Sequence, residues 1–223
     1  MKNLIIIQAR MGSKRLKNKM LLDFHGNPIY EWVFRRVNES KLANQVVFAI
    51  PSSKRDNILA ESLEKIGAIV FRGKEYDLVD RFYQAAKLYK AESVVRVCAD
   101  NPLICSSEID RLISFFNEEN CDYAYNHIPK NNSYPDGLGA EICSMSVLEE
   151  IYYKSSLKEH REHLFDFLWS YSSDYNIQTF DPPKSLAYPN LKLDIDNIED
   201  YDKLLEKPYK ITMSAEEIIN ISL

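Results

Sequence analysis

The chain has 223 residues, 45% of them hydrophobic, and a formal net charge of -5. That length and apolar content suit one α/β domain with an elaboration, and the acidic balance argues against nucleic acid as a partner. No apolar run approaches the roughly 20 residues of a membrane span. Four widely spaced cysteines without a Cys-x-x-Cys pair argue against zinc and redox motifs and for a cytoplasmic protein.

Residues 4–7, Leu-Ile-Ile-Ile, read as a strand buried on both faces of a parallel sheet rather than as a signal peptide. A loop follows with one glycine, Gly12, and the cations Arg10, Lys14, Arg15, Lys17 and Lys19. Loops at the carboxyl ends of parallel strands are where open α/β sheets bind ligands. Gly12 admits an anion close to the backbone, Ser13 adds a hydroxyl, and Arg15 and Lys19 suit phosphate charge. The spacing is neither that of a P-loop nor that of a dinucleotide fingerprint. A solvated surface loop is the plainer reading of the same cations.

Gly26-Asn27-Pro28 predicts a turn and Pro28 the start of a helix to about Asn38. Residues 45–50 predict a second strand, 56–66 a helix closed by Gly67, 68–71 a third strand, and 78–90 a third helix. A fourth strand over 93–97 leads through Cys98-Ala99-Asp100-Asn101-Pro102 to a helix capped by Ser106-Ser107-Glu108 and running to Phe116. Such alternation predicts a parallel sheet with crossover helices.

The regularity fails near residue 120. Residues 121–126 and 139–143 predict strands around a polar turn, 147–153 and 160–171 helices, 191–195 a last strand, and 198–205 an acidic helix. Residues 121–190 are therefore expected to form an insertion within a single unit spanning 1–223. On one helix, His160 and His163 would share a face, suited to an acidic sugar or a metal, or to plain solvent.

Asp100 at the end of the fourth strand, and Asp194 and Asp196 at the end of the last, are placed to hold Mg2+. That ion takes one or two carboxylates and keeps its remaining positions for water and phosphate. An aspartate after a strand is also a common helix N-cap. The basic loop and these carboxylates would meet at one edge of the sheet.

The ordered set Arg10-Met-Gly-Ser-Lys-Arg-Leu-Lys-Asn-Lys19, Arg72-Gly73, Asp77-x-x-Asp80-Arg81-Phe82, Ala99-Asp100-Asn-Pro-Leu-Ile104, Tyr134-Pro-Asp-Gly-Leu138 with Glu141, and Asp196-Asn-Ile-Glu-Asp200 resembles the CTP-dependent sugar cytidylyltransferases. These include CMP-Kdo synthetases and acylneuraminate cytidylyltransferases, and the likeness is strongest to the spore-coat polysaccharide, SpsF-type branch. The resemblance implies a Rossmann-like, mostly parallel sheet flanked by helices, of the nucleotide-diphospho-sugar transferase type, with a small α+β insertion; that insertion and its tyrosines would suit the interface of a homodimer. It implies that Arg10, Gly12, Ser13, Arg15 and Lys19 cradle the CTP triphosphate, with Ala9, Met11 and Ala99 as further nucleotide contacts. Pro51, Ser52, Arg72, Asp80 and Arg81 would surround the base and ribose. Arg15, Lys19, Asp100 and Asp196 would be catalytic, the two aspartates binding Mg2+ with help from Asp194. Asn126, Tyr134, Asp136, Gly137, Glu141, His160 and His163 would face the acceptor, a small acidic sugar or a phosphorylated compound.

The implied reaction is attack by the acceptor on the α-phosphorus of CTP with release of pyrophosphate. Ala-Asp-Asn-Pro replaces the Gly-Asp-Glu-Pro usual in the CMP-Kdo type, and Asn197-Ile198 replaces Thr-Pro; both changes bear on the acceptor more than on the chemistry. Use of another nucleoside triphosphate, a nucleotide-sugar glycosyltransferase, which also employs Asp-x-Asp, and a non-catalytic nucleotide-binding subunit are the alternatives. The cationic loop argues against the glycosyltransferase, and the intact cations and carboxylates against the non-catalytic subunit.

Overall fold

The computed structural model describes residues 2–223. Strand β1 (Asn3–Gln8) leads through the basic loop to a short ribbon, β2 (Asp23–Phe24) with β3 (Asn27–Pro28), and then to helix α1 (Ile29–Val37). The alternation continues with β4 (Gln45–Pro51), α2 (Asn57–Lys65), β5 (Ile69–Gly73), α3 (Leu78–Leu88), β6 (Ser93–Cys98) and α4 (Ser106–Glu119). The second half holds β7 (Tyr123–Tyr125), β8 (Glu141–Ser144), α5 (Met145–Lys154), α6 (Lys158–Glu162), α7 (Asp166–Ser170), β9 (Ile177–Thr179), α8 (Ile198–Leu205) and α9 (Ala215–Ser222). None of the helices is long and apolar enough to cross a membrane among the described residues.

One seven-stranded sheet has the order β5-β4-β1-β6-β8-β7-β9. β5, β4, β1 and β6 are parallel, so their carboxyl ends share one edge. β8 runs antiparallel to both β6 and β7, and β9 is parallel to β7. The strands of 121–190 thus extend the same sheet. The continuous apolar run of β1 is explained by its two covered faces. Ile5 and Ile7 join a core with α1, α2 and α4, while Leu4 and Ile6 join a second core with α3, α5 and α7.

Local signals set several boundaries. Gly67, at φ +75, ends the turn after α2. Asp77 caps α3 by accepting from the Asp80 N–H at 2.9 Å. Asn197 and Asp200 form a capping box on α8. Three expectations need correction. The N-cap of α4 is Cys105, without a side-chain cap bond, and Glu108 is buried instead. The helix expected over 160–171 is broken into α6 and α7, because the backbone leaves helical geometry at His163, which is extended at φ -122 and ψ 111. Finally, 191–195 is no strand. Its alternating burial, Leu193 and Ile195 in the core, belongs to an extended segment pinned by separate backbone bonds to Asp136 and Asp100 and by one isolated bridge, Asp136 to Lys192.

Candidate functional site

The basic loop is tied down at both ends. Ala9 and Met11 are buried, and the Met11 N–H donates to Asp56 Oδ1 at 2.7 Å. The fully buried Asp56 also accepts from Ser53 Oγ at 2.5 Å, so it clamps the loop to the exit of β4. Ser13 Oγ accepts from the Leu16 N–H at 3.3 Å and turns the chain. A Cβ on Gly12 would lie 2.8 Å from Arg55 Nη2, so the glycine lets the loop approach that guanidinium.

From this anchored loop, two cations reach the carboxylates. Lys19, only 9% exposed, donates to Asp100 Oδ2 at 2.9 Å and to the Ile195 carbonyl at 2.7 Å. Arg15 Nη2 donates to Asp196 Oδ1 at 2.7 Å. Asp100 follows β6, where the Ala99 N–H continues the pairing with β1 through the Gln8 carbonyl at 3.0 Å. The Asp100 carbonyl in turn holds the Ile195 N–H at 2.9 Å. The structure therefore brings Arg15, Lys19, Asp100 and Asp196 together from positions up to 181 residues apart.

Asp136 and Asp194 join the same group. Gly137 sits at φ +89, and a Cβ there would come within 2.8 Å of the Asp194 nitrogen, so glycine is required for the two segments to touch. Burial, Asp136 and further aspartates push the Asp194 carboxyl up to about 7 against the opposing charge of Lys192. Burial also raises Asp136. Asp194 Oδ1 is buried without a hydrogen-bond partner. Lys192, absent from the sequence-derived site, lies 2.6 Å from Asp200, 3.6 Å from Asp196 and 3.7 Å from Asp194. Its position two residues before Asp194 in an extended segment is a period-two signal that could have revealed it.

No three His, Cys, Asp or Glu side chains form a ready metal cage among the described residues. Asp100 and Asp196 are each about a third exposed, and Asp194 Oδ1 makes no hydrogen bond, with Lys192 Nζ 3.7 Å away. That donor set fits a hard divalent cation completed by phosphate oxygens and water.

The residues expected around the base and ribose lie along the ends of β4 and β5. Pro51 closes β4, and Ser52, Arg72, Gly73 and Asp80 line an open cleft of ≈ 450 Å³. Arg72 donates to the Ser53 carbonyl and to Asn57 Oδ1, both at 2.8 Å, and so shapes the β4 exit. Asp80 is buried, 3.4 Å from Lys74 Nζ. Arg81 is buried, donates to the Lys74 carbonyl at 2.7 Å, and leaves Nε without a partner. Burial, then the like charge of Arg10, lowers its pKa to about 10.

The side chains expected to face an acceptor are mostly engaged with the protein. Asn126 is fully buried between the Glu108 carbonyl and the Ala140 N–H, each at 2.9 Å. The Tyr134 hydroxyl donates to Glu108 Oε2 at 2.7 Å. Glu141 is buried against Arg96 and accepts from the Tyr123 hydroxyl at 2.5 Å. His160 is buried, with Nε2 3.0 Å from Ser170 Oγ and its ring against Phe167 and Tyr171. His163 is exposed and extended just past α6, so the two histidines do not share a helix face.

The cytidylyltransferase family pattern matches residues 4–168. The spore coat polysaccharide biosynthesis protein SpsF of Bacillus subtilis is 29% identical over 230 residues, covering 98% of this chain and 92% of that protein. A cytidylyltransferase structure from Leptospira borgpetersenii superposes with a TM-score of 0.89 at 30% identity, covering 99% of this chain and 93% of its own. A CMP:2-keto-3-deoxy-manno-octonic acid synthetase solved with CTP shares the fold at a TM-score of 0.70 and 18% identity, covering 92% and 98%. With three quarters of its length inside the family pattern, the chain belongs to the cytidylyltransferase family of nucleotidyltransferases.

Proposed function

We propose that the protein transfers CMP from CTP to a small acidic sugar of the 2-keto-3-deoxy acid class, releasing pyrophosphate and supplying surface-polysaccharide or glycan assembly. The observation that carries this reading is the interlock of loop and carboxylates, Lys19 on Asp100 and Arg15 on Asp196. A loop that merely solvated the surface would not bury a lysine beside an aspartate at a strand end. The Bacillus relative, a spore coat polysaccharide biosynthesis protein, and the CTP held by the synthetase of the same fold support the substrate classes.

Mg2+ held by Asp100 and Asp196 would supply neutralising charge for the phosphates. Lys19 is fixed by the Ile195 carbonyl and would point its ammonium at the leaving pyrophosphate. Arg15, 66% exposed, is free to turn from Asp196 to a phosphate oxygen. Arg10 and Arg81 are like charges whose mutual repulsion is relieved by an anion between them. Asp194, its carboxyl raised to about 7 mainly by burial and with Lys192 3.7 Å from its Oδ1, is the carboxylate suited to take the proton of the acceptor hydroxyl. The protein's contribution is thus orientation and charge placement rather than covalent chemistry.

The test is to follow product formation from CTP with a panel of sugar acids. Pyrophosphate release is expected, with turnover falling by about 10²–10³ in Lys19→Met, as for removal of one donor to developing charge. Release of a nucleoside diphosphate from a nucleotide sugar instead would favour the glycosyltransferase.

A further inference from the structure

Each carboxylate proposed above to hold the metal already faces a cation. Asp100 Oδ2 accepts from Lys19 at 2.9 Å, and Asp196 Oδ1 from Arg15 at 2.7 Å. The third cation is Lys192. Its Nζ donates to Asp200 Oδ2 at 2.6 Å and stands 3.6 Å from Asp196 Oδ2 and 3.7 Å from Asp194 Oδ1. Asp196 therefore meets a positive charge at each of its oxygens.

The backbone fixes Lys192 in that place. The Leu193 N–H donates to the Asp136 carbonyl at 2.9 Å and the Asp136 N–H to the Leu191 carbonyl at 3.0 Å, so the residue is bracketed on both sides. In this extended segment its side chain falls on the same side as those of Asp194 and Asp196. Its anchor is independent of both. Asp200 Oδ2 also accepts from the Asp196 and Asn197 N–H groups, at 2.9 and 3.2 Å, within the capping box of α8. The Lys192 side chain is 39% exposed, and an ammonium has three rotatable donors. It can keep the Asp200 bond while it turns away from Asp194 and Asp196 toward water.

An ammonium and a divalent cation compete for the same carboxylate oxygens, and the ammonium repels the two further positive charges. A triphosphate changes that balance, since it brings several negative charges and draws Arg15 and Lys19 toward phosphate oxygens. We infer that Lys192 is the resident counter-cation of Asp194 and Asp196, keeping them from a free divalent cation until the nucleotide arrives. The inference rests on the cytidylyl-transfer reading above and concerns how its metal is admitted. The linkage is reciprocal, so nucleotide and metal strengthen each other's binding, and Lys192 sets part of that coupling.

The test is to titrate Mn2+ into the full chain with and without a non-hydrolysable CTP analogue. Water proton relaxation separates protein-bound Mn2+ from the nucleotide complex, and calorimetry of the analogue is run on each sample. Wild-type protein is expected to hold Mn2+ at least about tenfold more tightly with the analogue than without it. Lys192→Met is expected to tighten Mn2+ about tenfold in the absence of nucleotide and much less in its presence. Lys192→Arg, which keeps the charge, is expected to follow the wild type. Lys65→Met is the charge control, since α2 ends where β5 begins, at the opposite edge of the parallel strands. Unchanged or weaker Mn2+ binding by Lys192→Met would overturn the inference. So would equal tightening in Lys192→Arg or Lys65→Met, or a wild-type Mn2+ affinity that ignores the nucleotide. Failure of the wild type to bind the analogue, or Mn2+ alongside it, would instead overturn the reading on which the inference rests.

Discussion

Lys19 stands where three stretches of chain meet, the basic loop, the end of β6 and the segment before α8. Its ammonium replaces water with a carboxylate and a carbonyl, so the charge is oriented before any nucleotide arrives. Arg81 shows the opposite state, a buried guanidinium with one unpartnered N–H and Arg10 nearby, its pKa drawn down to about 10. Both arrangements favour an incoming anion.

Away from the basic loop, burial lowers the pKa of His127. Burial alone would raise Glu141, but Arg96, His127 and Tyr123 together hold it below the usual carboxylate value. In each case the unfolded chain binds a proton that the folded chain resists. The stability from His127 is therefore fully present above its unfolded value of about 6.5, and that from Glu141 above about 4.5. Each is lost progressively as pH falls below those values. We predict that thermal melts between pH 5 and 7 show a slope of up to about 1.4 kcal/mol per pH unit from His127. His127→Gln is expected to flatten it, and an unchanged slope in that variant would assign the effect elsewhere.

At the scale of elements, Arg36 on α1 is the strut of the C-terminal segment. It is buried and donates to the carbonyls of Ile104, Ile211 and Met213 at 2.7, 2.8 and 2.9 Å, with Cys105 Sγ 2.9 Å away. Arg36→Met strands those carbonyls, and we predict a loss of about 3 kcal/mol. Scanning calorimetry should show Tm lower by roughly 6–12 °C. A change within a degree would mean that solvent replaces the guanidinium at little cost.

Elements of this kind were unevenly legible in the sequence. The apolar strands and the helices with caps or closing glycines stood out because burial and capping act locally. The period-two pattern at Leu193 and Ile195 was genuine, but a strand also needs a neighbour along its length, and only one bridge forms. The Ser214 and Glu217 capping box of α9 is a local signal of that helix, whereas three-residue β9 carries too little pattern to detect.

Over the whole molecule, four parallel strands deliver their carboxyl ends to one edge, and the chain then returns after β9 to lay Asp194 and Asp196 across it. The sequence indicated the loop and the aspartates because cations after an apolar run, and aspartates at element ends, are conspicuous in an acidic chain. It could not show that Asp56 clamps the loop or that Glu141 is enclosed by Arg96 and Tyr123, since those contacts depend on which strands become neighbours.

The central claim is that loop and carboxylates form one cation-dependent site for CTP. The most direct measurement is calorimetric titration of CTP, UTP, GTP and ATP with Mg2+ into wild-type protein and into Asp100→Ala. Selective binding of CTP that weakens by at least about tenfold in the variant is expected. Absence of triphosphate binding, or CTP affinity equal in both proteins, would contradict it.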